Sequence, residues 1–572
     1  MPAKPGLTAV EKDKVTFDPN FDFRAIAQRP YSDIPGNEMA MWKWCGVYQQ
    51  LQKGFFMIRL RVPGGLMTAE QVERAGDLAD QYGQGQLCIT TRQCLQFHWI
   101  RQQDLYKVRE SMAAVGILTQ NACGDVTRNV VTCPLEGVCP HEVGNTRQTL
   151  LNIADDPELL NLQRNLPRKH KISVAGCGRA CGQTLMNCQG WVPVARQTAT
   201  GGREVGWAFH AGGGLGARPV LAKLIFAWVP EDLVVEVARA STEAFRRHGE
   251  RRLRHFSRLK FLVEQMGPKA YAALVISILR ERGVPGVERL EIADGPPAIL
   301  PSFLDGQPVI PQKQAGFSTV RVMIERSEFT GPEARRFAAW ARQYGDGTIL
   351  FTNRQNLQFR FVPDARVAAL QAELRAAGYR LEGFERLPDT VACVGTTMCN
   401  LAVSDTPNTY RRILDELSAD AAWWAQVGRL RINMNGCPNS CGQHSVADIG
   451  LRGTRTREKV GSEEGYAIYV GGSLANAGHV GEYVCDVAAS DVVRLLRFLL
   501  DVYVAERRGP QETFGEYARR IGGRGYAEKL RQPGPDGQPV NFRNLVLDPL
   551  FADAVLENWF RGGHAAASGE GE

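Results

Sequence analysis

Asn435-Gly436-Cys437-Pro438-Asn439-Ser440-Cys441 decides the reading of this chain, together with Val391-Ala392-Cys393-Val394-Gly395-Thr396-Thr397-Met398-Cys399 upstream of it. The cysteine spacing of these two stretches occurs a second time. Cys133-x5-Cys139 is followed by Cys177-x3-Cys181, just as Cys393-x5-Cys399 is followed by Cys437-x3-Cys441. In each quartet 44 residues separate the first cysteine from the third, and the quartets are offset by 260 at all four positions. Working outward, Gly54, Thr68, Tyr82, Arg92, Gln93 and Gln96 recur as Gly316, Thr330, Tyr344, Arg354, Gln355 and Gln358, all displaced by 262. A period this long marks a duplicated pair of domains, not a solenoid.

The 572 residues, 44% of them apolar, are enough for about three to five domains with real cores. No apolar run approaches the roughly 20 residues that cross a bilayer, and the N-terminus has no signal-peptide core, so a soluble, cytoplasmic protein is expected, with no membrane partner. Fourteen cysteines in a reducing compartment argue for metal ligation over disulfides. Four thiolates suit zinc or an iron–sulfur cluster, and structural zinc commonly uses tighter Cys-x2-Cys pairs, so the spacing favours the cluster. Cys45, Cys88, Cys94, Cys123, Cys188 and Cys485 read as small core residues. The net charge of +7 comes with no dense Lys/Arg run and no RNA-binding signature, which points to an anionic substrate or an acidic protein partner and away from nucleic acid.

Gly54–Val62 is apolar and β-prone, and Pro63-Gly64-Gly65 turns the chain toward a helix capped by Thr68, with Gln71 completing a capping box. Val72, Ala75, Ala79 and Tyr82 share one face of that helix, and Leu87–Thr91 and Leu95–Ile100 follow as strands. The second half repeats the plan with Val320–Ile324, a helix capped by Thr330 and Glu333, Ile349–Thr352 and Leu357–Phe361. Glycine-rich turns follow a strand at Gly212–Gly216 and at Gly471–Leu474. They could cradle carboxylates through backbone N–H groups, or be plain turns. A Pro-rich stretch, Gly295–Gln314, marks the join between halves, and polar ends before about residue 20 and after Gly562 read as disordered.

The first half also carries cations in motif-like settings: Arg92 in TTRQ, Arg128 in DVTRNVV, and Lys169 and Lys171 in LPRKHK. Alternation places the side chains of Lys169 and Lys171 on one face of an extended segment. Four cations converging on one cavity would bind and neutralise a small oxyanion; taken singly, each is an ordinary surface charge.

TTRQ, GDVTRNVV, LPRKHK, VACVGTTMC and NGCPNSC, in this order over about residues 40–505, resemble the assimilatory sulfite and nitrite reductase family. The resemblance implies an α+β fold, internally duplicated, with two ferredoxin-like half-domains and two sirohaem/Fe–S-type α/β domains related by a pseudo-two-fold. The expected segments are an N-terminal extension 1–40, a half-domain 41–119, a 4Fe–4S-type domain 120–285, a linker 286–315, a half-domain 316–385, a cluster-binding domain 386–506 and a C-terminal extension 507–572. It further implies a [4Fe–4S] cluster on Cys393, Cys399, Cys437 and Cys441, with Cys441 also the axial ligand of a sirohaem iron. Arg92, Arg128, Lys169 and Lys171 match the family's anion-binding side chains. The implied reaction is the six-electron reduction of sulfite to sulfide or of nitrite to ammonia. In the family the position of Lys171 tends to be Lys in sulfite reductases and Asn in ferredoxin nitrite reductases, and a dianion needs more compensating charge, so sulfite is the expected substrate. Electrons are expected from a ferredoxin, or alternatively from a flavoprotein, since no flavin or nicotinamide module is evident.

One departure stands out. Family members ordinarily keep cluster cysteines only in the second half, whereas this chain keeps Cys133, Cys139, Cys177 and Cys181 too, as either a vestige or a second cluster. Arg354 matches Arg92, and Arg429 and Arg431 match Lys169 and Lys171, but Pro388 stands where Arg128 would be, so one catalytic haem is expected. The rival readings are a ferredoxin–nitrite reductase, an iron–sulfur electron carrier without sirohaem, and a precorrin-modifying enzyme of the same fold.

Overall fold

The computed structural model describes residues 6–162, 165–198, 200–457, 462–533 and 541–547. The first half-domain holds β1 (Val47–Gln49), β2 (Phe55–Arg59), β3 (Leu66–Thr68), β4 (Gln86–Ile89) and β5 (Leu95–Arg101). The domain after it holds β6 (Val131–Thr132), β7 (Ile172–Val174), β8 (Gln189–Gln197), β9 (Arg203–Ala211), β10 (Lys223–Pro230) and β11 (Glu291–Ile292). The repeat supplies β12 (Val309–Pro311), β13 (Phe317–Val322), β14 (Glu328–Thr330), β15 (Thr348–Phe351) and β16 (Leu357–Pro363). It continues with β17 (Val391–Ala392), β18 (Ile432–Asn435), β19 (Ile449–Arg457), β20 (Ser462–Val470) and β21 (Glu482–Ala488).

Two compact units result. The larger takes in the described residues up to Gly214, Val220–Phe384 and Leu474–Gly478; the smaller takes in Leu215–Pro219, Glu385–Ser473 and the described residues from His479 onward. In the larger unit both half-domains share one core, and each donates a strand to the other's sheet. The sheet orders are β1-β2-β5-β4-β14 and β12-β13-β16-β15-β3. Helices Ala69–Tyr82 and Gly331–Tyr344 cross between these sheets, each opened by the expected capping box, at Thr68/Gln71 and Thr330/Glu333. They approach so closely that a Cβ on Gly76 would lie 2.7 Å from the Ala334 Cβ, and Arg335 ties the pair to Asp77 and Asp80.

The two Cys-bearing domains are mixed sheets, β11-β10-β9-β8-β7-β6 in the larger unit and β17-β18-β19-β20-β21 in the smaller. In each, two short parallel pairings are followed by long antiparallel ones, and the cysteines leave the C-terminal ends of the parallel strands.

Several expectations about the ends and the join need correction. Residues 9–16, read as disordered, form a helix. Its Lys14 is buried against Asp125 (3.1 Å) and the Leu166 carbonyl (2.9 Å), and its Glu11 meets Arg251 (2.6 Å), so ion pairing orders a segment with little apolar content. Residues 309–311, inside the stretch read as linker, are the edge strand β12. Beyond 507, helix Phe514–Lys529 buries Phe514, Tyr517 and Tyr526 in the smaller unit's core. The tail after Gly562 lies outside the described residues.

Candidate functional site

In the smaller unit, parallel pairing of Val391 with Asn433 and of Ala392 with Met434 sets Cys393 beside the start of the NGCPNSC loop. Close glycine contacts then press the two loops together. A Cβ on Gly436 would lie 2.8 Å from the Ser404 carbonyl and 3.1 Å from the Gly395 Cα, and one on Gly442 would clash with the Met434 carbonyl. Buried His444 pins the far end of the loop: its Nδ1 is 3.0 Å from Asn435 Nδ2 and 3.1 Å from Ser440 Oγ. Burial, with help from Arg452, holds its pKa down to about 3, so the ring is neutral and works as a structural peg.

The four thiols gathered here are Cys393, Cys399, Cys437 and Cys441. Burial raises the first to about 11 and pushes Cys399 and Cys437 upward, and Cys441 raises all three further, so the four are close enough to feel one another. The Gly436 N–H donates to Cys393 Sγ at 3.1 Å, and the Asn439 amide faces Cys437 Sγ at 3.7 Å. Cys441 is exposed while Cys437 is buried. Among the described residues no three His, Cys, Asp or Glu side chains are arranged to hold a single metal ion. A donor set of four thiols with N–H donors to sulfur fits an iron–sulfur cluster.

In the larger unit, Thr127 bridges in parallel to His170 and their side chains bond at 2.8 Å on the buried side. Alternation therefore turns Arg128, Lys169 and Lys171 to the opposite face together. Arg92 is anchored between the same two segments, donating to the Asn129 carbonyl (2.6 Å), the Ile172 carbonyl (3.2 Å) and Asn187 Oδ1 (2.8 Å). Burial pulls its guanidinium to about 10, still cationic at neutral pH, and among the described residues its Nε finds no partner, as is also true of the buried Nε of Arg258. Arg128 donates to the Gly124 carbonyl at 2.9 Å. Arg92 and Arg128 thus lie near enough to feel one another, and the backbone of Lys169–Lys171 runs beside Arg128.

Sequence reasoning missed part of this region. Against the expectation of no dense Lys/Arg run, Arg246 to Lys260 contains seven Lys/Arg residues, and it supplies Arg254 and Arg258. Asp125 takes Arg254 at 2.9 Å, Lys14 at 3.1 Å and Arg168 at 3.7 Å. Desolvation opposes its charge, yet these cations together hold its pKa down at about 2. Asp125 and Glu11, set against Lys14, Lys43, Arg168, Arg251 and Arg254, with Arg128 near Lys43, leave the region positive. The second-half counterparts differ. Arg429 is paired with Glu385 at 2.7 Å and Arg431 with Asp448 at 3.4 Å, so their charge is met by protein.

Cys133, Cys139, Cys177 and Cys181 also come together: Cys133 feels Cys177 and Cys181, and the Cys139 thiol donates to Cys177 Sγ, which raises the one and lowers the other. The six remaining cysteines are all buried, as core residues are.

Residues 123–281 and 385–534 match the family described as nitrite and sulphite reductase 4Fe-4S domain, and residues 48–115 and 310–377 match the nitrite/sulfite reductase ferredoxin-like half domain. A ferredoxin–nitrite reductase of Synechococcus elongatus is 31% identical, over 83% of this chain and 91% of its own. An assimilatory ferredoxin-dependent nitrite reductase of Haloferax mediterranei is 29% identical, covering 89% and 90%. A ferredoxin sulfite reductase of Mycolicibacterium paratuberculosis is 29% identical, covering 86% and 89%. The solved structure of Mycobacterium tuberculosis NirA superposes with a TM-score of 0.80 at 27% identity, over 91% of this chain and 97% of that one. Among the described residues no helix is long and apolar enough to cross a membrane.

Proposed function

The chain belongs to the nitrite and sulfite reductase family, and from that premise we propose that it reduces sulfite to sulfide by six electrons drawn from a ferredoxin, with nitrite to ammonia as a second activity. The observation that carries this reading is the chain's possession of both halves of the chemistry. Four thiols stand on glycine-locked loops, and Arg92 and Arg128 stand beside the Lys169–Lys171 backbone in one net-positive region.

Cys393, Cys399, Cys437 and Cys441 would hold the [4Fe–4S] cluster, and the exposed Cys441 would also be the thiol that holds a sirohaem iron. The cation-rich region, with buried guanidinium Nε atoms lacking partners among the described residues, suits a carboxylate-bearing macrocycle and an anionic substrate. When bound, these two centres would deliver electrons to the anion.

The chain's own residues do the rest. Arg92 and Arg128 compensate the anion's charge with guanidinium groups fixed by backbone carbonyls, so little reorganisation is needed. Lys169 and Lys171 add ammonium charge and hold protons at Nζ for oxygens that leave as water. Relatives named for either anion are 29–31% identical, so overall similarity does not separate the substrates. The Lys171 charge favours the dianion. The pairing of Arg429 and Arg431 with acids supports one anion site rather than two.

An absorption spectrum and iron count on anaerobically purified protein test the reading. A sirohaem Soret band that shifts on adding sulfite is expected, and protein with iron but no Soret band would favour the electron-carrier alternative.

A further inference from the structure

The first cysteine quartet stands on the same strand register as the second, although the loops differ: Gly395–Met398 is helical with no helical counterpart, and Ser440 is left-handed at φ 55° where Ala180 opens a 3-10 turn. Val131 pairs with Ser173 and Thr132 with Val174, as Val391 pairs with Asn433 and Ala392 with Met434. The next pairing, Ile172 with Gln189, recurs as Ile432 with Ile449. Gln183 and Gln443 both take left-handed φ, at 54° and 66°, and a 3-10 turn follows each, at Thr184–Met186 and His444–Val446. A Cβ on Gly213 would strike the Leu185 and Asn187 carbonyls, as one on Gly472 would meet those of Ser445 (2.8 Å) and Ala447 (2.7 Å).

The match extends to the sulfurs. In the second quartet the Gly436 N–H donates to Cys393 Sγ at 3.1 Å, and the backbone at Leu401 and Asn439 lowers the Cys399 and Cys437 thiols. In the first, the His141 N–H donates to Cys139 Sγ at 3.4 Å, and the backbone at Gly176 and Arg179 lowers the Cys133 and Cys177 thiols. Each donor and each acceptor is displaced by the same 260 residues. A backbone N–H aimed at sulfur stabilises a thiolate bound to iron far more than a neutral thiol, which is a poor acceptor. The buried acids beside the first quartet, Glu136 and Glu142, are met by Arg147, Arg360 and Lys313, so they add no uncompensated charge to an anionic cluster.

We propose that Cys133, Cys139, Cys177 and Cys181 bind a second [4Fe–4S] cluster. Ligation releases the four thiol protons and replaces the Cys139–Cys177 hydrogen bond with bonds to iron. The proposal goes beyond the reading of the second quartet and does not depend on which anion is reduced.

The test is iron and acid-labile sulfide per chain after anaerobic purification of the full chain. It compares the wild type, a Cys177→Ser/Cys181→Ser variant, a milder Cys139→Ala variant and a Cys399→Ser/Cys437→Ser variant. About eight cluster irons are expected in the wild type, with about four lost in each double variant and also in Cys139→Ala. The four retained in each double variant report that the chain still folds. About four irons in the wild type, lost only with Cys399→Ser/Cys437→Ser, would overturn the second cluster and leave the proposed function standing. About four irons lost only with the first-half variants would instead sink the assignment of Cys393, Cys399, Cys437 and Cys441. One zinc per chain that disappears with Cys177→Ser/Cys181→Ser, or a Cys139–Cys177 disulfide in the anaerobic protein, would also overturn the proposal.

Discussion

Cys441 is exposed where Cys437 is buried, and under the proposed function this difference separates a thiol that would only hold a cluster from one that would also face a second centre. Cys441→Ser is expected to abolish reduction of both anions and to lose the Soret band, whereas serine at Cys485, buried in the core, should leave both intact. Lys171→Asn removes one positive charge from the anion region. It should lower kcat/KM for sulfite more than for nitrite, by about 1–3 kcal/mol of transition-state stabilisation, and an equal loss for both anions would contradict the charge argument. At this scale the motifs were legible because each is contiguous. The supporting cations were not: Lys14, Arg168 and Arg254 meet only at Asp125, 111, 43 and 129 residues away in sequence, and no local spacing announces contacts at those separations.

The elements that carry the thiols depend on loops meeting at glycine. Gly442→Ala would drive a Cβ into the Met434 carbonyl and is expected to cost about 1–3 kcal/mol and to lower iron content. Alanine at Gly295, where a Cβ meets nothing within 4 Å, should change neither unfolding temperature nor iron. Both helix capping boxes were readable, since the cap and its N3 partner lie three residues apart and answer to the same local geometry. The strands β3 and β14 were not. Each is three residues long and pairs only with a strand of the other half-domain, so its extended form is set by tertiary contact with β15 or β4 rather than by its own sequence.

Across the molecule, burial holds four histidines neutral: His98, His170 and His444 at about 3 and His210 at about 4, against an ordinary 6.5. Unfolding frees each to take up a proton below pH 6.5. The unfolded chain therefore binds more protons, and stability falls as pH drops from about 6.5 toward 4, by about 1.4 kcal/mol per pH unit for each group in mid-window. The apo chain should need clearly less denaturant to unfold at pH 5 than at pH 7; equal midpoints would show that the rings are not held neutral. Asp125 adds to the loss only below its ordinary 3.8. The duplication itself was the most legible whole-chain feature, because paired cysteines at one offset leave no room for another alignment. The strand exchange that fuses the half-domains into one core had no such signature.

The most direct measurement is the number of electrons taken from reduced ferredoxin per anion consumed, with the product identified. The expected result is six electrons per sulfite with sulfide formed, and a higher kcat/KM for sulfite than for nitrite. Reduced ferredoxin that stays reduced in the presence of either anion, with protein carrying its full iron, would contradict it.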